Sequence, residues 1–115
     1  MIALAGVYYV GRLHSGSSDP GCKAYANTAL EAYNNAVDVL NKQAAQSTLS
    51  ADMTTAVTDL TSAAQQAQSA AAKSALGTML AQLKTVRTDV AAGSVPASVV
   101  KALNADSATA DTVCS

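Results

Sequence analysis

Two cysteines are the residues of this chain best placed to do chemistry. Cys22 follows the tripeptide DPG, residues 19–21, and Cys114 stands next to the C-terminal residue. Thiols placed this way can pair as a disulfide or stay reduced and buried. Cys22 could also be the lipidated first residue of a lipoprotein. Such a site needs a bulky apolar residue three positions upstream with small residues between, and here Asp19 and Pro20 intervene. Other reactive types are few. His14 is the single histidine and sits outside the helical part, so no Ser-His-Asp set can be assembled within it. No Cys/His cluster has metal-site spacing. No glycine-rich loop follows a strand pattern to cradle phosphate. The expectation is therefore no catalytic residue, no metal and no cofactor.

The carboxylates are Glu31 and seven aspartates. Glu31 and Asp38 lie seven residues apart, as do Asp52 and Asp59, so each pair shares one helix face. Two such pairs on antiparallel helices could in principle hold a cation. Di-iron bundles, however, use Glu-x-x-His pairs, which are absent, and a solvated face is the expectation. Tyr25 and Tyr33 are eight apart on one side of a helix. They are expected to pack in the core or at its boundary, with their hydroxyls reaching water. The stretch QQAQ offers Gln65, Gln66 and Gln68 as a polar helix face and a candidate interaction surface.

Whatever positions these residues must be helical. From Asp19 onward the apolar residues recur at three- and four-residue spacings. Asp19 is a suitable N-cap and Pro20 suits the first helical position. Ala26, Leu30, Tyr33, Val37, Leu40 and Ala44 form the first stripe, with Cys22 four residues before Ala26. Gln43, Gln46, Ser47 and Thr48 lead out of that helix, and Ser50 is the expected cap of the next. Met53, Ala56, Leu60, Ala63 and Ala67 form the second stripe, widened by Val57 and Ala64. Leu76, Met79, Leu83, Val86 and Val90 form the third, two residues out of phase with the second. The phase change predicts a turn within residues 68–75, although neither glycine nor proline marks it. Gly93 is the expected stop and Pro96 the restart. Val100, Leu103, Ser107, Ala110 and Cys114 form the fourth stripe. The run NADSATADT has poor helix propensity, which predicts a break near Asn104 or Asp106.

Four helices joined by short loops alternate in direction. The fold class that follows is all-α, an antiparallel up-down-up-down four-helix bundle. Its first and last helices then bring Cys22 and Cys114 to one end, both on inward stripes. A terminal disulfide between them is the expectation carried forward, with two free thiols as the alternative. A disulfide implies an oxidising, extracytoplasmic compartment.

Composition supports such a staple. Half of the 115 residues are hydrophobic, but the aromatic content is four tyrosines, with no Phe or Trp. The apolar share is mostly alanine, which buries little area per residue. Charged residues make up 13 % and the net charge is -1. Seven scattered Lys and Arg leave no basic footprint for nucleic acid and no polybasic patch for a membrane surface.

Residues 1–14 form an apolar segment, 15–18 a Ser/Gly linker, and 19–115 the helical bundle domain. The apolar run is about half the roughly 20 residues a spanning helix needs. It also lacks a basic region ahead of it. It is read as a truncated signal peptide or N-terminal membrane anchor. A tail packed on the domain is the alternative.

The layout resembles the small, Ala-rich, exported or membrane-anchored helical domains of actinobacteria. Cys22, Tyr25, the stretch AAAKSALGTMLAQL and Cys114 carry the resemblance, which covers most of residues 19–115. It implies an extracytoplasmic location and brings no activity or catalytic residue with it. The functional expectation is a non-enzymatic binding or structural module. Its partner would be a protein or envelope component, by way of an N-terminal membrane tether or as a homo-oligomer. Alternatives are a ligand-sensing four-helix domain and a membrane-associated helical protein.

Overall fold

The computed structural model describes residues 19–42 and 46–114. Four helices make up this part of the chain. α1 covers residues 20–42 in three consecutive stretches: α-helical Pro20–Ala24, π-helical Tyr25–Ala29 and α-helical Leu30–Lys42. α2 is Gln46–Gln66, α3 is Ala70–Ala92 and α4 is Ala97–Val113. The arrangement is an all-α four-helix fold with a disulfide linking the first and last helices.

The inward stripes of α2, α3 and α4 are the ones their spacing predicts. Met53, Ala56, Leu60, Ala63 and Ala67 are buried, as are Leu76, Met79, Leu83, Val86 and Val90. Val100, Leu103, Ser107, Ala110 and Cys114 are buried as well. The first stripe differs at its start. Tyr25 and Ala29 are buried there and Ala26 is half-buried. The cause is the π-turn, in which the Leu30 N–H donates to the Tyr25 carbonyl five residues back. A turn that takes in an extra residue moves the inward face by one position. Leu40 and Ala44 of that stripe lie outside the residues whose side chains are described.

The ends of the helices show how the chain turns. Gly93 adopts φ +92°, and the N–H groups of Gly93 and Ser94 donate to the carbonyls of Val90 and Asp89. This left-handed stop is open to glycine at no steric cost. Pro96 is extended and caps α4 from outside, so helix begins at Ala97 rather than at the proline. The turn between α2 and α3 falls at residues 67–69, overlapping the first two residues of the predicted window 68–75 and starting one residue before it. Its marker is Ser69, whose hydroxyl accepts from the Ala72 N–H at 3.1 Å.

Three expectations need correction. Ser50 does not cap α2, which already begins at Gln46; a residue with cap preference is tolerated in a helix whose face is buried against neighbours. α4 does not break near Asn104 or Asp106 and runs unbroken to Val113. Three of its hydroxyls, those in the run of poor helix formers, are satisfied inside the helix or across it. Thr109 and Thr112 donate to the carbonyls four residues back, and Ser107 donates to Tyr33. With those groups paired and the other face buried, packing outweighs propensity. Third, a membrane-anchored protein is not what the fold shows: among the described residues no helix is long and apolar enough to cross a membrane. The segment 1–14 read as signal or anchor, and the linker 15–18, lie outside the described residues.

Close backbone approach joins α1 to α2, α2 to α3 and α3 to α4. Small residues allow it. A Cβ added to Gly21 would stand 2.5 Å from the Ala67 Cα, so the start of α1 rests against the end of α2. α1 and α4 are different. Beyond the Cys22–Cys114 end, where the Cα atoms are 5.1 Å apart, they meet through side chains rather than at close backbone distance.

Candidate functional site

The seam between α1 and α4 holds the chemistry-bearing residues. Cys22 and Cys114 form a disulfide, with Cα atoms 5.1 Å apart and 92 positions between them. Above it, the Tyr25 hydroxyl donates to Asp111 Oδ1 at 2.6 Å. Farther along, the Ser107 hydroxyl donates to the Tyr33 hydroxyl at 2.8 Å. The three pairs advance along α1 as they descend along α4, which fixes the antiparallel relation of the two helices. All six residues are buried. The tyrosine hydroxyls therefore meet protein groups and not water, correcting that expectation. The ring reaches across the wide seam, and its polar tip must then find a partner inside. Sequence spacing placed Ser107 on the inward stripe. Asp111 it did not, because an aspartate beside Ala110 reads as a flanking solvated residue.

The base of this seam is held by Asp19. Its Oδ1 accepts from the N–H groups of Gly21 and Cys22 at 2.8 and 3.4 Å, capping α1. Its Oδ2 accepts from the N–H groups of Gln68 and Ser69 at 2.9 and 2.7 Å. One carboxylate thus ties the start of α1 to the α2–α3 turn. The Ser69 N–H contributes most to holding the Asp19 carboxyl at about 2, with partial burial opposing and the other three N–H groups adding to it. Donors that bond only the charged form favour that form.

The paired carboxylates are partly brought together. Glu31, Asp52 and Asp59 line an open groove of about 300 Å³ between α1 and α2, with Asn27, Asn35 and Thr55 among its polar lining. Asp38 is exposed and is not part of that lining. Among the described residues no group of three or more His, Cys, Asp or Glu is arranged to hold a metal ion. A second groove, about 290 Å³, lies between α3 and α4, with Thr78, Asp106 and Val113 in its wall. Burial there pushes the Asp106 carboxyl above its usual range. Gln65, Gln66 and Gln68 are exposed at the end of α2 and in the turn beyond it. Gln66 donates to the Ser62 hydroxyl at 3.1 Å. His14 lies outside the described residues.

These residues make a small, compact helical domain without a catalytic constellation, a metal cluster or a cluster of aromatic rings among its described residues. No family model, no curated protein and no solved structure matches the chain.

Proposed function

We propose that this chain is a non-enzymatic extracytoplasmic module, which presents a braced helical surface to a protein or envelope partner. The observation that carries this reading is the Cys22–Cys114 disulfide. It joins the first turn of α1 to the end of α4, closing nearly the whole domain into one ring. Such links form and persist in oxidising compartments and are rare in the cytosol. An alanine-rich core gains most from this constraint, since its own burial per residue is small. A rigid scaffold with polar exposed faces and, among its described residues, no catalytic constellation suits recognition. The exposed glutamines Gln65, Gln66 and Gln68, next to the Asp19 junction, are the surface we assign to a partner. Self-association through helix faces is the other use of such a surface.

The test is fractionation of the native host with alkylation of free thiols before lysis. Recovery outside the cytoplasm with both cysteines blocked supports the reading. A cytosolic chain with two alkylatable thiols would overturn it.

The groove between α1 and α2 favours a second reading, a ligand-sensing four-helix domain. Its three carboxylates and two amides suit a small cationic, hydrogen-bonding ligand. A thermal-shift series with putrescine and arginine discriminates the two. A rise in melting temperature that Asp59→Asn removes selects the sensor, and flat curves select the scaffold.

A further inference from the structure

The groove between α3 and α4 differs in kind from the one between α1 and α2. It holds about 290 Å³ and its walls are mostly apolar. α3 contributes small side chains from Ala71 to Thr78, and α4 contributes Asp106, Thr109 and Val113. The lining covers about two turns of each helix, or about 10 Å. α3 and α4 run in opposite directions. Ala71 and Val113 therefore stand at one end of the groove, and Thr78 and Asp106 at the other. One end is apolar and the other carries a carboxylate and a hydroxyl. Asp106 is half-buried, and no Lys, Arg or His is in the lining among the described residues. Thr109 gives its hydroxyl hydrogen to the Ala105 carbonyl within α4, not to that carboxylate. Burial pushes the Asp106 carboxyl up, and no donor or cation among the described residues draws it down. Asp19 is the contrast, with four backbone N–H groups holding its carboxyl low. A carboxylate partly removed from water without such compensation is costly, and in a cleft it marks a place for a ligand.

We infer that this groove binds a small primary amine with a short apolar chain, its ammonium on the Asp106 carboxylate and its chain along Ala71, Ala75 and Val113. The ammonium supplies the charge and the donors that the lining does not, and charge-assisted hydrogen bonds of this type are the strong ones. The Thr78 hydroxyl, at the same end, offers it a second oxygen. The chain takes water off the small apolar side chains. Mostly apolar walls with a polar group at one end are the usual make-up of a small-molecule site. An anionic ligand would meet Asp106 as a like charge. A diamine would bring a second charge to the apolar end, where desolvation opposes it. The preference is thus the reverse of the α1–α2 groove, whose three carboxylates favour a ligand with more than one charge. The inference depends neither on where the chain resides nor on the glutamine surface.

The experiment is an NMR titration of the full 115-residue chain at neutral pH with n-butylamine, n-butanol and putrescine. n-Butylamine is expected to bind saturably with millimolar affinity, as so small a ligand permits, and to shift the amide resonances of Ser74, Thr78 and Asp106. n-Butanol keeps the chain and lacks the charge, and Asp106→Asn keeps the shape and removes the carboxylate. Each change is expected to weaken binding about tenfold or more, as loss of a hydrogen bond between charged groups does. Putrescine is expected to bind these residues more weakly than n-butylamine. Ala71→Leu, at an exposed position, fills the apolar end and is expected to abolish binding. Should Asp106→Asn fail to fold, n-butanol and Ala71→Leu decide. Shifts that do not saturate, or equal affinity for n-butylamine and n-butanol, overturn the inference. So do shifts confined to Glu31, Asp52 and Asp59, which would place the amine in the other groove.

Discussion

Tyr25 donates its phenolic hydrogen to Asp111 Oδ1 across 2.6 Å, although 86 positions separate the two residues in the chain. Both are buried, and they stand directly above the disulfide that joins the same two helices. Tyr25→Phe keeps the ring and removes the donor, leaving the carboxylate short of a partner. The expected cost is about 1–3 kcal/mol, read as a lower urea midpoint at unchanged slope. An unchanged midpoint would mean that the bond adds nothing to stability.

Reduction of Cys22–Cys114 should have a larger effect. Closing a loop of 92-residue separation is worth about 4–5 kcal/mol in the chain-entropy account. Unfolding curves with and without a reductant, and of Cys22→Ser with Cys114→Ser, are expected to differ by an amount of that order. A loss below about 1 kcal/mol would place it among surface contacts and show that the helices hold together without it.

Gly21→Ala tests the close approach of α1 to the end of α2. The new Cβ would meet the Ala67 Cα at 2.5 Å and its N at 2.6 Å. Backbone has to move, so the expected penalty is about 1–3 kcal/mol, against the small gain alanine brings in an open helix position. Gly77→Ala is the control, because nothing lies within 4 Å of its added Cβ. That variant is expected to be neutral or stabilised.

The pH dependence follows from Asp19. Its carboxyl titrates at about 2 in the folded chain and near 3.9 when unfolded. A folded value below the unfolded one means that the unfolded chain takes up the proton first as pH falls. The contribution of Asp19 is full above about pH 4 and is lost as the pH drops toward 2. Asp19→Asn should flatten the stability profile in that window while leaving its shape between pH 5 and 8 unchanged. A variant with the parent's acid slope would assign that slope to other carboxylates.

Sedimentation of the purified chain checks whether its helix faces pack within or between copies. A monomer across a concentration series is the expected result, since the inward stripes of α2, α3 and α4 are already buried within one chain. A stable dimer would reassign the exposed glutamine surface to a second copy.

Much of the architecture was legible because helix periodicity is a local property. The stripes of α2, α3 and α4, the glycine stop at 93 and the phase change before Leu76 can all be read from residues within a few turns of one another. Cys22 and Cys114 could be paired from topology, since an even number of alternating helices returns to its starting end. The candidate site was less legible. Tyr25 and Tyr33 could be placed on one side of a helix, but their hydroxyl partners lie on another helix 86 and 74 positions away, respectively. Asp19 reads as a helix cap, and nothing local shows that its second oxygen serves Gln68 and Ser69.

What the residues determined alone is the number of helices after Asp19, the inward faces of three of them and the meeting of the two sulfurs. Spacing and end signals act over a few residues and depend little on what lies opposite. Tertiary structure alone decided the π-turn at Tyr25–Ala29, the continuity of α4 through a run of poor helix formers and the burial of Asp111. For α4 and Asp111 the partner groups lie within the packed helices, Tyr33 opposite Ser107 and Tyr25 opposite Asp111, and that free energy exists only once the helices are together.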